Sequence, residues 1–301
     1  MRNLILLITT SILFALSSCG DNDNISSSGE DLFPKMEIGD LDEQLIELFK
    51  DYNTRVEYRY IKNLLPSDWY YITPPKEELV LPMSKLIVDL WISPLIDASS
   101  KEFVTLTFPK MLVYVGSPAL QLDKTEVLGE AEGGTLVRFT KINEFDDSSV
   151  DWISSTMHTA YHEYAHIIHQ RYGFPDTYLK VSPDSYTKNG WTVVTQRGAL
   201  QKGVVTPYAS SSPQEDFVEL FAECIIATDE KLEYYFTDVS PWGGMSQSDS
   251  EELNKDNEGR RLLRTKREIL KKYMSDIELD MDKLRTIFQS KLTDKSNTAS
   301  K

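Results

Sequence analysis

Histidine is scarce in this chain of 301 residues, and the scarcity is informative. The four histidines stand at positions 158, 162, 166 and 169, all within one short stretch. A metal site that uses imidazole must therefore be built there, and no distant segment can add another histidine. Cysteine is scarcer still, with only Cys19 and Cys224. A purely structural zinc site, which favours cysteine and full protein coordination, fits poorly with that count. Basic residues are also few: 32 Lys and Arg stand against 47 Asp and Glu, for a net charge of −15. Such a surplus of acid argues against nucleic acid or an anionic surface as a partner.

The apolar run at residues 4–16, after Met1-Arg2-Asn3, is too short to span a bilayer and has the layout of a secretory signal. It ends Leu16-Ser17-Ser18-Cys19-Gly20, which resembles a bacterial lipobox and implies a signal peptide at 1–18 with lipidation of Cys19. An ordinary signal peptide with a stray cysteine is the plain alternative. A multiply acylated cysteine would be a stable membrane anchor. Residues 19–39 are rich in Ser, Gly and Asp and read as a flexible tether. The early acidic residues resemble the export signal of surface lipoproteins in Bacteroidota, implying an outer-membrane, cell-surface location. With Cys19 lipidated, Cys224 has no partner for a disulfide. Beside Ile225 and Ile226 it reads as a small buried apolar residue.

From residue 40 the chain is long enough for a substantial core. Residues 40–50 suit an amphipathic helix, and 54–60 alternate as a strand does. Prolines at 66, 74, 75 and 82 make the next passage irregular; 83–92 reads as a helix that Pro94 ends or kinks. Strands are expected at 103–108, 111–115 and 135–142, the last preceded by a turn at Glu132-Gly133-Gly134. Beyond that point helices dominate. One is expected at 150–172, stopped by Gly173 and Pro175, another from Pro213, and two more near 258–274 and 276–291. A loop-rich passage separates the first two, and residues 293–301 read as a disordered polar tail. The expected architecture is α+β: a sheet-bearing lobe at 40–149 and a helical lobe at 150–292 in one body, with the cleft between them.

His162-Glu163-Tyr164-Ala165-His166 is H-E-x-x-H on a helix. Two imidazoles one turn apart share a face and can grip one zinc ion, while the intervening glutamate can serve as base toward a water. Catalytic zinc takes a third protein ligand, and with no further histidine a carboxylate must supply it. His158 lies a turn too far along the helix to close on the same ion, and His169 reads as a surface residue or a support for a ligand. The best donor segment follows Ser212, a good N-cap, and Pro213, a good first helical residue. Glu215, Glu219 and Glu223 recur there on one helix face, an arrangement that wants a cation opposite. A plain capping box, Ser212 with Glu215, is the alternative use of the same residues.

H-E-x-x-H followed by Tyr208 seven residues before Glu215-x-x-x-Glu219 resembles the lethal-factor-type branch of the gluzincin peptidases. That resemblance implies a zincin-like fold with one zinc held by His162, His166 and Glu215. It further implies Glu219 steadying a ligand histidine, Glu163 as base and Tyr208 donating to an oxyanion. A broader similarity joins the lipobox, Gly116-Ser117, Ala131-Glu132-Gly133-Gly134, residues 162–170 and residues 277–285. It is to the substrate-import-associated zinc metallohydrolase lipoproteins of Bacteroidota. Their typical setting implies a TonB-dependent importer and its binding lipoprotein as partners. The expected function is a zinc metallopeptidase acting on a peptide or glycopeptide. The rival is a non-catalytic surface lipoprotein that binds glycan or peptide for an importer. An intact Glu163 favours the enzyme, because a pure binding protein has no need of the base.

Overall fold

In the computed structural model, residues 38–66, 72–120, 126–127, 129–132 and 135–299 are described. Residues 1–18, Cys19, most of the tether and the turn at Gly133-Gly134 lie outside them. Asp40–Lys301 groups as one unit. It opens with helix α1 (Asp40–Phe49) and strand β1 (Arg55–Glu57), which is shorter than the alternation suggests. Helix α2 (Glu77–Ile87) runs through a π-helical turn, Val88–Ile92, into α3 (Ser93–Ala98). Pro94 therefore neither ends nor breaks the run. It falls in the first turn of α3, and the Leu90 carbonyl four residues back accepts instead from the Tyr161 hydroxyl at 2.9 Å.

Helix α4 (Lys101–Thr107) replaces the strand expected at 103–108. The β-branched and aromatic composition misleads there. Ser100 caps the segment by accepting from the Phe103 N–H at 3.1 Å, and Phe103, Val104 and Thr107 point inward at helical spacing. Strands β2 (Met111–Tyr114), β3 (Ala119–Leu120), β4 (Glu126–Val127), β5 (Gly129–Glu132) and β6 (Leu136–Phe139) follow. The main sheet has the order β1-β2-β6-β5, parallel except for the antiparallel edge pair β5–β6, in which Ala131 faces Val137. Strands β3 and β4 form a separate antiparallel pair.

The helical half comprises α5 (Val150–Tyr172), α6 (Asp176–Leu179), α7 (Gln196–Gln201), α8 (Pro213–Ile226), α9 (Asp229–Phe236), α10 (Gln247–Asp276) and α11 (Met281–Ala299). Helix α11 runs on through the stretch read as a disordered tail. Its anchoring is tertiary: Lys291 and Lys295 both reach Asp89 on the π-helical turn, at 2.8 and 3.1 Å. Helix α10 starts well before residue 258, capped by Ser246. At Gly259 it presses so close to α7 that a Cβ would lie 1.8 Å from the Leu200 carbonyl oxygen.

Helix α5 is fixed at both ends and along its back. Ser149 accepts from the Trp152 N–H at 3.2 Å, and Gly173 ends the helix at φ +86°. On the buried face Tyr164 sits edge-on to Trp91, with ring centroids 6.3 Å apart, and its hydroxyl pairs with Thr107 at 2.6 Å. The Tyr161 hydroxyl donates to the Leu90 carbonyl at 2.9 Å. Each such side chain contributes about 1.5–3 kcal/mol by burial, so the helix cannot turn about its axis cheaply. The opposite face, bearing His162, Glu163 and His166, is held at a set angle toward α8.

Candidate metal centre

Helix α8 begins as its sequence dictates. Ser212 accepts from the Glu215 N–H at 3.1 Å and Pro213 takes the first turn. Only the backbone of Glu215 serves the cap. Its carboxylate turns toward α5, where Oε2 lies 3.3 Å from His162 Nε2 and 3.4 Å from His166 Nε2. The three candidate ligand atoms all lie within 4.8 Å of one another.

The surroundings fit a cation at that point. Glu219 Oε1 is 2.8 Å from His162 Nδ1, and Thr206 donates to the other Glu219 oxygen at 2.6 Å. A carboxylate at Nδ1 accepts from the imidazole N–H there and, in the neutral ring, leaves Nε2 as a lone pair. That lone pair faces Glu215 Oε2, a buried oxygen with no hydrogen-bond partner among the described residues. Two acceptors pointed at each other need a positive centre between them. Left to protons alone, the same place attracts one: burial would lower the His162 pKa, but Glu215 and Glu219 outweigh it and push it up to about 10, so a metal ion would compete with a proton for Nε2. Glu215 is likewise held well below the usual carboxylate range, the two imidazoles overcoming the opposite effect of burial.

His166 has its own support. Its Nδ1 lies 3.1 Å from His169 Nε2, so His169 backs a candidate ligand, while His158 Nε2 lies 3.6 Å from Glu223 and 3.9 Å from Glu219 Oε1, outside the three-residue cluster. Glu223 belongs to that second contact and to Lys231 at 2.7 Å, apart from the three-residue cluster. Glu163, buried at 6% exposure, sits beside His162 on α5. Tyr208 lies on the 3₁₀ turn Tyr208–Ser210 just before α8, its ring centroid 6.1 Å from that of His162. Burial and then the Glu215 charge push its phenol well above the usual range, so it stays protonated and able to donate. Trp191, on the 3₁₀ turn Lys188–Val193, braces Tyr208 edge-on at 5.1 Å. Of the residues singled out from the sequence, His162, His166, Glu215 and Glu219 converge, with Glu163 and Tyr208 alongside. Cys19 lies outside the described residues. Thr206 and Trp191 carried no signal in the sequence, because loop geometry alone delivers them.

Behind Glu215 lies a buried ion pair. Lys266 Nζ donates to Asp216 Oδ2 at 2.6 Å and to the Gly203 carbonyl at 2.7 Å, and Tyr186 donates to the same carboxylate at 2.9 Å. It ties α10 to the first turn of α8.

A helix bearing H-E-x-x-H, backed by a mixed sheet and faced by a glutamate from a second helix, defines an α+β, zincin-like metallopeptidase fold. The chain belongs to the family described as "Putative zinc-binding metallo-peptidase", whose model matches residues 35–282. It is also similar to a crystal structure of a protein of the same description from Bacteroides caccae. The two share 27% identity with a TM-score of 0.67, covering 85% of this chain and 93% of the other. Among curated proteins none matches.

Proposed function

We propose that this protein is a zinc-dependent peptidase holding one zinc through His162, His166 and Glu215. The observation that carries the reading is the convergence of both imidazole Nε2 atoms on the buried, unbonded Glu215 Oε2, at 3.3 and 3.4 Å. Zinc, when bound, supplies Lewis acidity that polarises a carbonyl and acidifies a water. The chain's residues do the rest. Glu163 takes the proton from the attacking water and returns it to the leaving amine. Tyr208 donates to the oxyanion that develops on the scissile carbonyl. Glu219, held by Thr206, keeps the His162 proton on Nδ1 and the ring at its angle.

The lipobox-like Leu16–Cys19 stretch and the acidic tether support a lipid anchor at Cys19 and a position on the outer-membrane surface. A TonB-dependent importer and its binding lipoprotein are the partners we assign to it, with a peptide or glycopeptide as substrate.

The test is Glu163→Ala in zinc-loaded protein. About one zinc per chain should remain while hydrolysis of a peptide library is lost. Retained hydrolysis sinks the assignment of the base, and no zinc in the parent protein sinks the site.

A further inference from the structure

A cavity of about 120 Å³ opens beside α5, lined by Thr140, Lys141, Glu144, Trp152, Thr156 and Thr159, with Ser155 at its edge and Phe139 beneath. Its α5 residues lie on the stripe that continues, at three- and four-residue steps, to Glu163 and His166. Thr159 is one turn before Glu163. The cavity therefore lies on the same face as the candidate metal centre, displaced toward the N-terminal half of the helix. At 1.5 Å per helical residue it spans roughly 6–16 Å from Glu163. An extended peptide covers that distance in roughly two to five residues at about 3.3 Å each.

Its chemistry is mixed in a particular way. One wall is the half-buried Trp152, braced edge-on by Phe145 at 5.1 Å. The rest is hydroxyl-rich. Thr159 Oγ1 donates to the Ser155 carbonyl at 3.3 Å, leaving its oxygen free to accept. Lys141 and Glu144 place one charge of each sign at the lining, so an ionised occupant of either sign meets a like charge beside an opposite one and gains little over a neutral polar group. An apolar occupant would strip water from hydroxyls and charges and return nothing. A compact group that both donates and accepts replaces that water, and an aromatic face suits its carbon atoms.

Building on the peptidase reading, we propose that this cavity is a substrate subsite for a polar, uncharged side chain, Ser, Thr, Asn or Gln. It would take that side chain roughly two to five residues from the bond being cut, by the spacing above.

The experiment is cleavage of a defined peptide library by zinc-loaded parent, Thr156→Leu and Ser155→Leu proteins, with products read by mass spectrometry. Binding of the same peptides to zinc-loaded Glu163→Gln protein provides a readout free of turnover. Ser155 is exposed, so its variant is the one safe for folding. The parent should favour Asn, Gln, Ser or Thr over Leu at one position. That preference, as a ratio of kcat/KM, should fall about tenfold or more in either variant, and the binding preference should match it. Cleavage with no preference at these positions, or a preference untouched by both variants, overturns the subsite and leaves the peptidase reading standing. No cleavage of any peptide by the parent overturns the peptidase reading, and the subsite with it.

Discussion

His169 Nε2 lies 3.1 Å from His166 Nδ1, one turn along the same helix. For His166 to aim a lone pair from Nε2, its Nδ1 must carry the proton, and His169 is then the acceptor. Burial suits His169 to that part. It lowers the pKa to about 4, with the neighbouring His166 acting in the same direction, so the ring stays neutral at physiological pH. One candidate ligand is thus steadied by a carboxylate and the other by a neutral imidazole.

Replacing His169 by Ala should weaken zinc binding by about 10–100-fold, the usual effect of losing the partner behind a ligand histidine. Competition against a chelator of known affinity measures it. Unchanged affinity would show that the helix backbone alone orients His166.

Tyr208→Phe removes one hydroxyl and little else. If that hydroxyl serves the oxyanion, kcat should fall by about 10²–10³, while KM and bound zinc stay as they were. A matching loss of zinc would mean that the phenol holds Glu215 instead.

Lys266→Met strands the Asp216 carboxylate in the core and should cost about 3–5 kcal/mol in urea unfolding. The pH dependence has a definite sign. Burial already pushes the Asp216 carboxyl above its usual range even with Lys266 opposite. A carboxyl raised on folding adds stability at low pH and loses it as pH rises through the folded value. The deficit of the variant should therefore shrink as pH falls. A deficit independent of pH would place the loss in packing rather than charge.

Helices α5 and α8 are legible because their punctuation is local: Gly173 stops the first, and Ser212 caps and Pro213 starts the second. The α+β character is plain in residue types, whereas the Glu215 segment stands out as a carboxylate donor only because H-E-x-x-H finds no third histidine, with a capping box as the rival use of the same residues. What could not be read depends on contacts distant in sequence. The segment at 103–108 is strand-like in composition, yet it is a helix because Ser100 caps it and the core receives Phe103, Val104 and Thr107. The last turns of α11 looked like tail because nothing near them in sequence announces Asp89. Thr206 reaches Glu219 only through the fold of the loop before α8.

The division of the candidate ligands between two helices has a consequence for the order of assembly. Helix α5 carries both imidazoles by itself, whereas the carboxylate arrives only when α8 docks across it. On the proposed zinc reading, tight metal capture during refolding would report the meeting of these two helices, and a colorimetric zinc chelator would become a clock for one tertiary event.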